Sequence, residues 1–266
     1  MHMNMLNESD IKAALIDKLI ERGMLQNAVL INEMVVANWS RRADIAVVNG
    51  KLYAFEIKSD FDSLQRLEGQ VSAYLDRFDK VTVVTTRKFA NLISEQMPPD
   101  VEIWEATSEE GEVSFRVARR GKTKEITCKR TLCGFLLKSE IVSFLRQRNE
   151  LSSLHEMNRD ELISMAKGYS LKDLRSYVLS CLKARYEQTF KAFMRDKGKK
   201  TIPENLNSLS KSKLMMRDQQ FTENVVMHRQ KKSTYAKPLN LKMLRESYGV
   251  LPDNMPRTVL IRKAHT

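Results

Sequence analysis

The sequence is poor in cysteine, glycine and proline, and it lacks a long apolar run. Three Cys in 266 residues, without paired metal-ligand spacing, exclude a disulfide framework and a zinc site. Nine Gly and six Pro exclude collagen-like and low-complexity chains. The longest apolar stretch, residues 28–36, is interrupted by Asn32 and Glu33 and is far shorter than the roughly 20 residues of a spanning helix. We therefore predict no membrane segment.

Two further signals are missing. The first residues, MHMNMLNESDIK, do not have the basic and then apolar order of a secretory signal. A Walker loop is also missing, so a nucleotide-driven motor is not predicted. What remains, with 42% hydrophobic and 29% charged residues, is typical of a globular chain. These features predict a cytoplasmic protein with one substantial domain and an appendage, or with two small domains.

The positive charge is concentrated near the C-terminal end. The formal net charge is +12. Residues 191–266 contain 17 Lys and Arg and 6 Asp and Glu, a net of +11, which leaves +1 for the first 190 residues. This distribution predicts a C-terminal region that binds polyanions. The alternative is an extension that only confers solubility or is unstructured.

The body of the chain has the pattern of an α/β fold. Asn7 or Ser9 can cap a first helix that Gly23 ends. Asn49-Gly50 between two strand-like runs predicts a β-hairpin. In chain order, the pattern predicts a helix, a strand, the hairpin, a second helix and three strands over residues 7–23, 28–36, 41–59, 60–78, 81–85, 101–105 and 113–119. We expect three parts: an α/β core at 1–131, a helical module at 132–194, and a basic C-terminal extension at 195–266 that is partly linker.

The hairpin carries the residues best suited to chemistry. Asp44 lies on its first strand, Glu56-Ile57-Lys58 on its second, and Glu33 lies upstream. Carboxylates brought within a few ångströms repel each other, and either a proton or a divalent cation relieves that repulsion. Glu56 and Lys58 are two residues apart on a strand and therefore face the same way. The pattern predicts a Mg²⁺ site to which the Ile57 carbonyl can add an oxygen.

A strict two-residue turn at Asn49-Gly50 would prevent this arrangement. It would pair Asp44 with Phe55 and send Asp44 and Glu56 to opposite faces. The metal site therefore requires a longer loop, a bulge or a frayed strand start. The alternative is that these charged residues form a solvated strand face.

These residues resemble the PD-(D/E)XK nuclease superfamily. More narrowly, RADIAVVNGKLYAFEIKSD, residues 42–60, is similar to a bacterial and phage-borne nuclease-like family, and the similarity extends to about Tyr186. Ala43 stands where the motif has Pro. The resemblance implies a restriction-endonuclease-like core, a mixed sheet flanked by helices, and a Mg²⁺-dependent (or Mn²⁺-dependent) deoxyribonuclease. It assigns metal binding to Asp44, Glu56 and Glu33, and assistance of hydrolysis to Lys58. Gln70 and Tyr74 resemble a QxxxY helix that borders such a site, and Gln70 is counted with Asp44, Glu56 and Lys58 among the expected catalytic residues.

The resemblance and the charge together predict the partners. DNA is the expected partner, RNA is an open alternative, and a homodimer is considered because cutting two strands often needs two sites. The expected nucleic-acid contacts are Tyr74, Lys199, Lys200, Lys231 and Lys232. A role in phage defence or phage biology would follow. The alternative function is a catalytically idle nuclease-fold module that binds nucleic acid or a partner protein.

Overall fold

The computed structural model describes residues 5–36, 41–149, 153–209, 236–238 and 258–260. The chain forms two compact units, residues 1–214 and 215–266. The elements of the first unit are α1 (Glu8–Glu21), β1 (Val29–Val36), β2 (Arg41–Val48), β3 (Leu52–Lys58), α2 (Leu67–Leu75), β4 (Lys80–Thr86), α3 (Arg87–Gln96), β5 (Glu102–Glu109), β6 (Glu112–Arg119), α4 (Lys129–Gly134), α5 (Lys138–Arg146), α6 (Arg159–Ala166), α7 (Leu171–Asp196) and a short 3₁₀ helix (Pro203–Leu209). The described residues of the second unit form β7 (Ala236–Pro238) and β8 (Thr258–Leu260), which pair antiparallel.

The first unit is built on a mixed sheet. Its six strands follow chain order from β1 to β6. The β3–β4 and β4–β5 pairs are parallel, with α2 and α3 as their crossover helices, and the remaining pairs are antiparallel. Strands β3 and β4 are buried along almost their whole length, as expected of strands with both sheet faces covered. The predicted α/β class, a mixed sheet with helices, is confirmed.

Helix α1 begins and ends as its sequence predicts. The Asn7 side chain accepts a hydrogen bond from the Asp10 backbone N–H, and Gly23 follows the helix with φ of +69°. Its apolar residues recur every three or four positions and are buried. Lys12 is buried on the same side of the helix, although it is charged. A buried cation requires nearby anions, and β1 and β2 supply them.

The turn of the hairpin sets the register of β2 and β3. Val48 lies opposite Leu52, so the loop contains three residues, with Gly50 at φ of +103°. The pairing continues to Ile45 and Phe55. One more step in this register places Asp44 opposite Glu56, on the same face of the sheet. The longer loop that the predicted metal site required is therefore present.

The chain after β3 differs from its prediction. Residues 59–66 form a loop, and α2 begins only at Leu67. The Asp62 carboxylate accepts hydrogen bonds from Ser59 N (2.8 Å) and Ser59 Oγ (2.5 Å), which fixes a turn that competes with helix formation. The sequence pattern also missed α3.

The helical segment packs as part of the first unit. Asp79, just before β4, is fully buried, and its carboxylate accepts from Leu52 N (2.7 Å) and Ile126 N (3.0 Å). It also binds both terminal nitrogens of Arg175 on α7, at 3.1 and 2.5 Å. Residues beyond Asp196 continue to pack, since Thr201 N donates to Asp17 Oδ2 at 2.7 Å. The boundary between the two units lies after residue 214, and the limits at 131 and 194 within the first unit stay predictions.

Within the described ranges, no helix combines the length and the apolar character needed to cross a bilayer.

Candidate functional site

Three acids lie side by side on β1, β2 and β3. Asp44 is opposite Glu56 in the hairpin register. On its other side, Glu33 falls between the pairs that Asn32 and Met34 form with β2. Glu33 has φ of +57°, a left-handed conformation that is uncommon for a residue other than glycine. The register thus brings together the three acids that the sequence placed in one site.

The environment of Asp44 disfavours its charge. Asp44 Oδ2 accepts a hydrogen bond of 2.6 Å from Ile57 N. Burial, followed by the negative charge of Glu56, raises the pKa of Asp44 to about 8. Without a bound divalent cation, Asp44 is therefore largely protonated at neutral pH. A bound cation would stabilise the ionised form and lower this pKa.

Glu56 is held by the side chains of Lys58, Tyr74 and Gln70. Lys58 Nζ lies 2.8 Å from Glu56 Oε1 and 3.3 Å from Gln70 Oε1. The Tyr74 hydroxyl lies 3.0 Å from Glu56 Oε2 and 2.6 Å from the Arg42 carbonyl oxygen. Since a phenol has one proton, it can donate to only one of these acceptors at a time. Burial raises the pKa of Glu56, and the Lys58 charge opposes this effect.

A second group of acids adjoins Asp44. Carboxylate oxygens of Glu8, Glu33 and Asp44 all lie within 4.8 Å of one another. Lys12 Nζ lies 2.5 Å from Glu33 Oε1 and 3.0 Å from Glu8 Oε1. Burial lowers the pKa of Lys12, but the charges of Asp44, Glu33 and Glu8 together outweigh burial and raise it. Lys12 is therefore the cation that the folded chain itself supplies to this group.

Lys12 and Glu8 are site residues that were not predicted from the sequence. The position of Lys12 could have been recognised from its helical spacing to Leu15 and Leu19, with which it shares the buried side of α1. A lysine on an apolar stripe indicates a buried ion pair. Glu8 gives no comparable signal, since an acid in the first turn of a helix is common for reasons of the helix dipole alone.

The charge and the donor atoms of this cluster suit a hard divalent cation. We use "acidic cluster" for Glu8, Glu33, Asp44 and Glu56. Three cations adjoin these four acids: Lys12, Lys58, and Arg42, whose Nε lies 2.5 Å from Glu33 Oε2. With every group ionised, one negative charge remains. The carboxylates offer only oxygen ligands, which Mg²⁺ and Mn²⁺ prefer.

The expected nucleic-acid contacts fall in different places. Tyr74 is fully buried and offers no surface to a nucleic acid, because its hydroxyl is used to hold Glu56. Lys199 is exposed, and Lys200 is exposed but pairs with Glu112. Lys231 and Lys232 lie outside the described residues.

Comparisons with known proteins give a family. The family model described as bacteriophage P4 protein cII matches residues 1–210. Protein cII of Enterobacteria phage P4 is 44% identical over 211 residues, which is 79% of this chain and 80% of the phage protein. Among solved structures, the SPO1766 protein of unknown function from Silicibacter pomeroyi aligns with a TM-score of 0.38 and 15% identity, covering 59% of this chain and 98% of that one.

These matches overturn the predicted nuclease assignment. Membership of the PD-(D/E)XK superfamily, the deoxyribonuclease activity and the idle nuclease-fold alternative are wrong, since both sequence matches point to the P4 protein cII family. The restriction-endonuclease-like core is not confirmed. The physical reason is that the motif is short: an acid and a lysine two residues apart on a strand converge in many folds. Their convergence permits cation binding without implying hydrolysis.

Proposed function

The chain belongs to the bacteriophage P4 protein cII family, and from its acidic cluster and its net charge we propose that it acts by binding nucleic acid with the help of a divalent cation. The acidic cluster holds Mg²⁺ or Mn²⁺, and the cation together with basic surface binds phosphate. The observation that carries the proposal is the position of Asp44, a half-buried carboxylate between Glu33 and Glu56 whose charge the protein alone leaves poorly compensated.

Asp44 and Glu33 are the main candidates to hold the cation. Asp44 receives one backbone N–H, while Glu33 and Glu8 share Lys12. Glu56 is a weaker candidate because Lys58 and Tyr74 already contact its two oxygens. The Ile57 carbonyl remains a proposed ligand. When bound, the cation supplies positive charge to which a phosphate oxygen can bind.

The charge of the whole chain favours a polyanionic partner. The net charge of +12 supports affinity for phosphate through counterion release. A cluster of acids would repel a nucleic acid that approached it, and a divalent cation reverses the local sign of the charge. We therefore propose that cation and nucleic acid bind together, with DNA as the partner and RNA as the second substrate to be measured.

The test measures how DNA affinity depends on Mg²⁺. Fluorescence anisotropy of labelled DNA is recorded with Mg²⁺ and with EDTA, at an ionic strength kept constant with KCl. We expect Mg²⁺ to tighten binding by about tenfold in the natural chain and to have little effect in Asp44→Asn. Asp100→Asn changes an exposed acid paired with Lys122 and should keep the full Mg²⁺ effect. Equal affinity of the natural chain in Mg²⁺ and EDTA would refute the cation's role.

A further inference from the structure

Phe61 is the most exposed large apolar side chain among the described residues. It lies in the loop between β3 and α2, and its exposed fraction is 67%. A single exposed apolar residue needs no explanation by itself. Phe61 differs because the loop that presents it is held by eight hydrogen bonds. The loop also begins directly after Lys58 and therefore adjoins the acidic cluster.

The first set of hydrogen bonds fixes the loop internally. Ser59 N and Ser59 Oγ both donate to Asp62 Oδ2, at 2.8 and 2.5 Å. Asp62 N donates back to the Ser59 carbonyl oxygen at 3.3 Å, and Phe61 N donates to Ser59 Oγ at 3.3 Å. The backbone that carries the Phe61 ring is therefore fixed on both sides.

The second set ties the loop to the rest of the fold through Asp60. Asp60 N donates to the Leu6 carbonyl oxygen at 3.2 Å, and Leu6 N donates to Asp60 Oδ2 at 2.8 Å. Thr86 Oγ1 donates to Asp60 Oδ1 at 2.6 Å, and Lys88 Nζ donates to the Asp60 carbonyl oxygen at 2.6 Å. The ring is thus presented to solvent from a preorganised position, which lowers the entropy cost of binding through it.

The same contacts bring positive charge to the loop. Thr86 is the residue before α3, whose first turn contains Arg87 and Lys88 and no acid. Arg87 and Lys88 are both exposed. The Asp62 carboxylate accepts from Ser59 inside the loop, and the Asp60 carboxylate accepts from Leu6 N and Thr86 Oγ1 outside it, which disperses the negative charge of both acids.

We propose that Phe61 stacks on an unpaired nucleobase while Arg87 and Lys88 contact the adjoining phosphates. The ligand class is single-stranded nucleic acid, because an intact duplex keeps the faces of its bases stacked inside and unavailable to a ring. This inference rests on the proposed nucleic-acid binding and specifies the form of nucleic acid that is bound.

The experiment compares one oligonucleotide in its single-stranded form and as a blunt duplex. Anisotropy in Mg²⁺ gives the affinity of the full chain, Phe61→Ala, Phe61→Trp and the control Leu92→Ala. Leu92 is an exposed apolar residue on α3 with 44% exposure. Base–aromatic stacking contributes about 1–3 kcal/mol per base, so Phe61→Ala should weaken single-strand binding by about 5- to 150-fold and duplex binding by less than twofold. Phe61→Trp should retain affinity, and its fluorescence should be quenched by the single strand. Comparing the affinities for a DNA strand and an RNA strand of the same sequence shows whether deoxyribose or ribose is preferred.

Each outcome decides a separate question. If the natural chain binds neither form, the proposed function fails. If it binds and Phe61→Ala binds the single strand equally well, only the stacking role is refuted. If Phe61→Ala weakens single strand and duplex equally, the loop is a general contact surface and the single-strand assignment is overturned. Circular dichroism confirms that each variant is folded, which is expected because the ring makes few contacts.

Discussion

At the scale of single residues, Asp44 is the group whose protonation the fold controls most clearly. The folded chain holds a proton on Asp44 up to a pH of about 8, because burial and Glu56 raise its pKa to about 8. An unfolded aspartate releases its proton near pH 4. Between these values the folded state binds more protons than the unfolded state, so the free energy of unfolding should fall as pH rises.

Asp44→Asn should remove this pH dependence. Asparagine can still accept the Ile57 N–H but has no proton to lose. In EDTA at pH 8, we expect the variant to be more stable than the natural chain by up to about 5 kcal/mol, with nearly equal stability at pH 4. Urea unfolding followed by circular dichroism measures the free energy of unfolding of the variant and of the natural chain at each pH. Mg²⁺ should stabilise the natural chain and leave the variant unchanged; a natural chain whose stability does not vary from pH 5 to pH 8 would contradict the account.

Lys12 should oppose the binding of a divalent cation. Its ammonium lies among Glu8, Glu33 and Asp44, where it repels a second cation. Lys12→Gln should therefore bind Mn²⁺ about tenfold or more tightly, by the Coulomb interaction of nearby charges. Lys18→Gln, on the same helix but paired with Glu21 near the surface, is the matched control. Isothermal titration measures both affinities, and equal values for Lys12→Gln and the natural chain would show that Lys12 lies outside the cation's range.

Sequence could supply part of the candidate site. Asp44 and Glu56 could be named because hairpin signals are local. Asp44 and Glu56 lie opposite each other only because the hairpin loop has a third residue, Lys51. The Asn49-Gly50 pattern does not specify that third residue. Lys12 reaches the site only through the docking of α1 on the sheet, a long-range contact that local periodicity does not encode.

At the scale of elements, Asp79 joins the hairpin, β4 and α7. Its carboxylate accepts from two backbone N–H groups and from Arg175 without solvent contact. Asp79→Ala leaves the Arg175 charge and both N–H groups without their partner, so we expect a loss of about 3–5 kcal/mol. The control Asp100→Ala, an exposed pair with Lys122, should cost less than about 1 kcal/mol. Urea unfolding measures the free energy of unfolding of both variants. Similar losses for Asp79→Ala and Asp100→Ala would contradict the role of Asp79 in joining these elements.

The ion pair between Asp79 and Arg175 shows why the position of the helical segment on the sheet could not be predicted from the sequence. The caps of α6 and α7 at Asn158 and Ser170 are local signals, and both helices begin directly after them. Arg175 and Asp79 are 96 residues apart, and nothing in the sequence links them. Helix periodicity thus located the helices, while their packing on the sheet depends on contacts that periodicity does not specify.

At the scale of the whole molecule, the distribution of charge predicts how nucleic-acid affinity depends on salt. Residues 215–266 contain ten Lys and Arg and four Asp and Glu. A chain ending at Leu214 should bind DNA more weakly and with a flatter dependence of log affinity on log salt, because fewer counterions are released. Anisotropy between about 50 and 200 mM KCl measures the slope. An unchanged slope would assign the phosphate contacts to residues 1–214.

The most direct test of the central claim is the anomalous scattering of Mn²⁺ in crystals of the natural chain. We predict one strong peak within about 2.0–2.4 Å of an Asp44 carboxylate oxygen, with Glu33 as a second ligand. A well-ordered crystal at saturating Mn²⁺ that shows no peak at Asp44, with the Lys12 ammonium still between Glu8 and Glu33, would contradict the cation site and the function built on it.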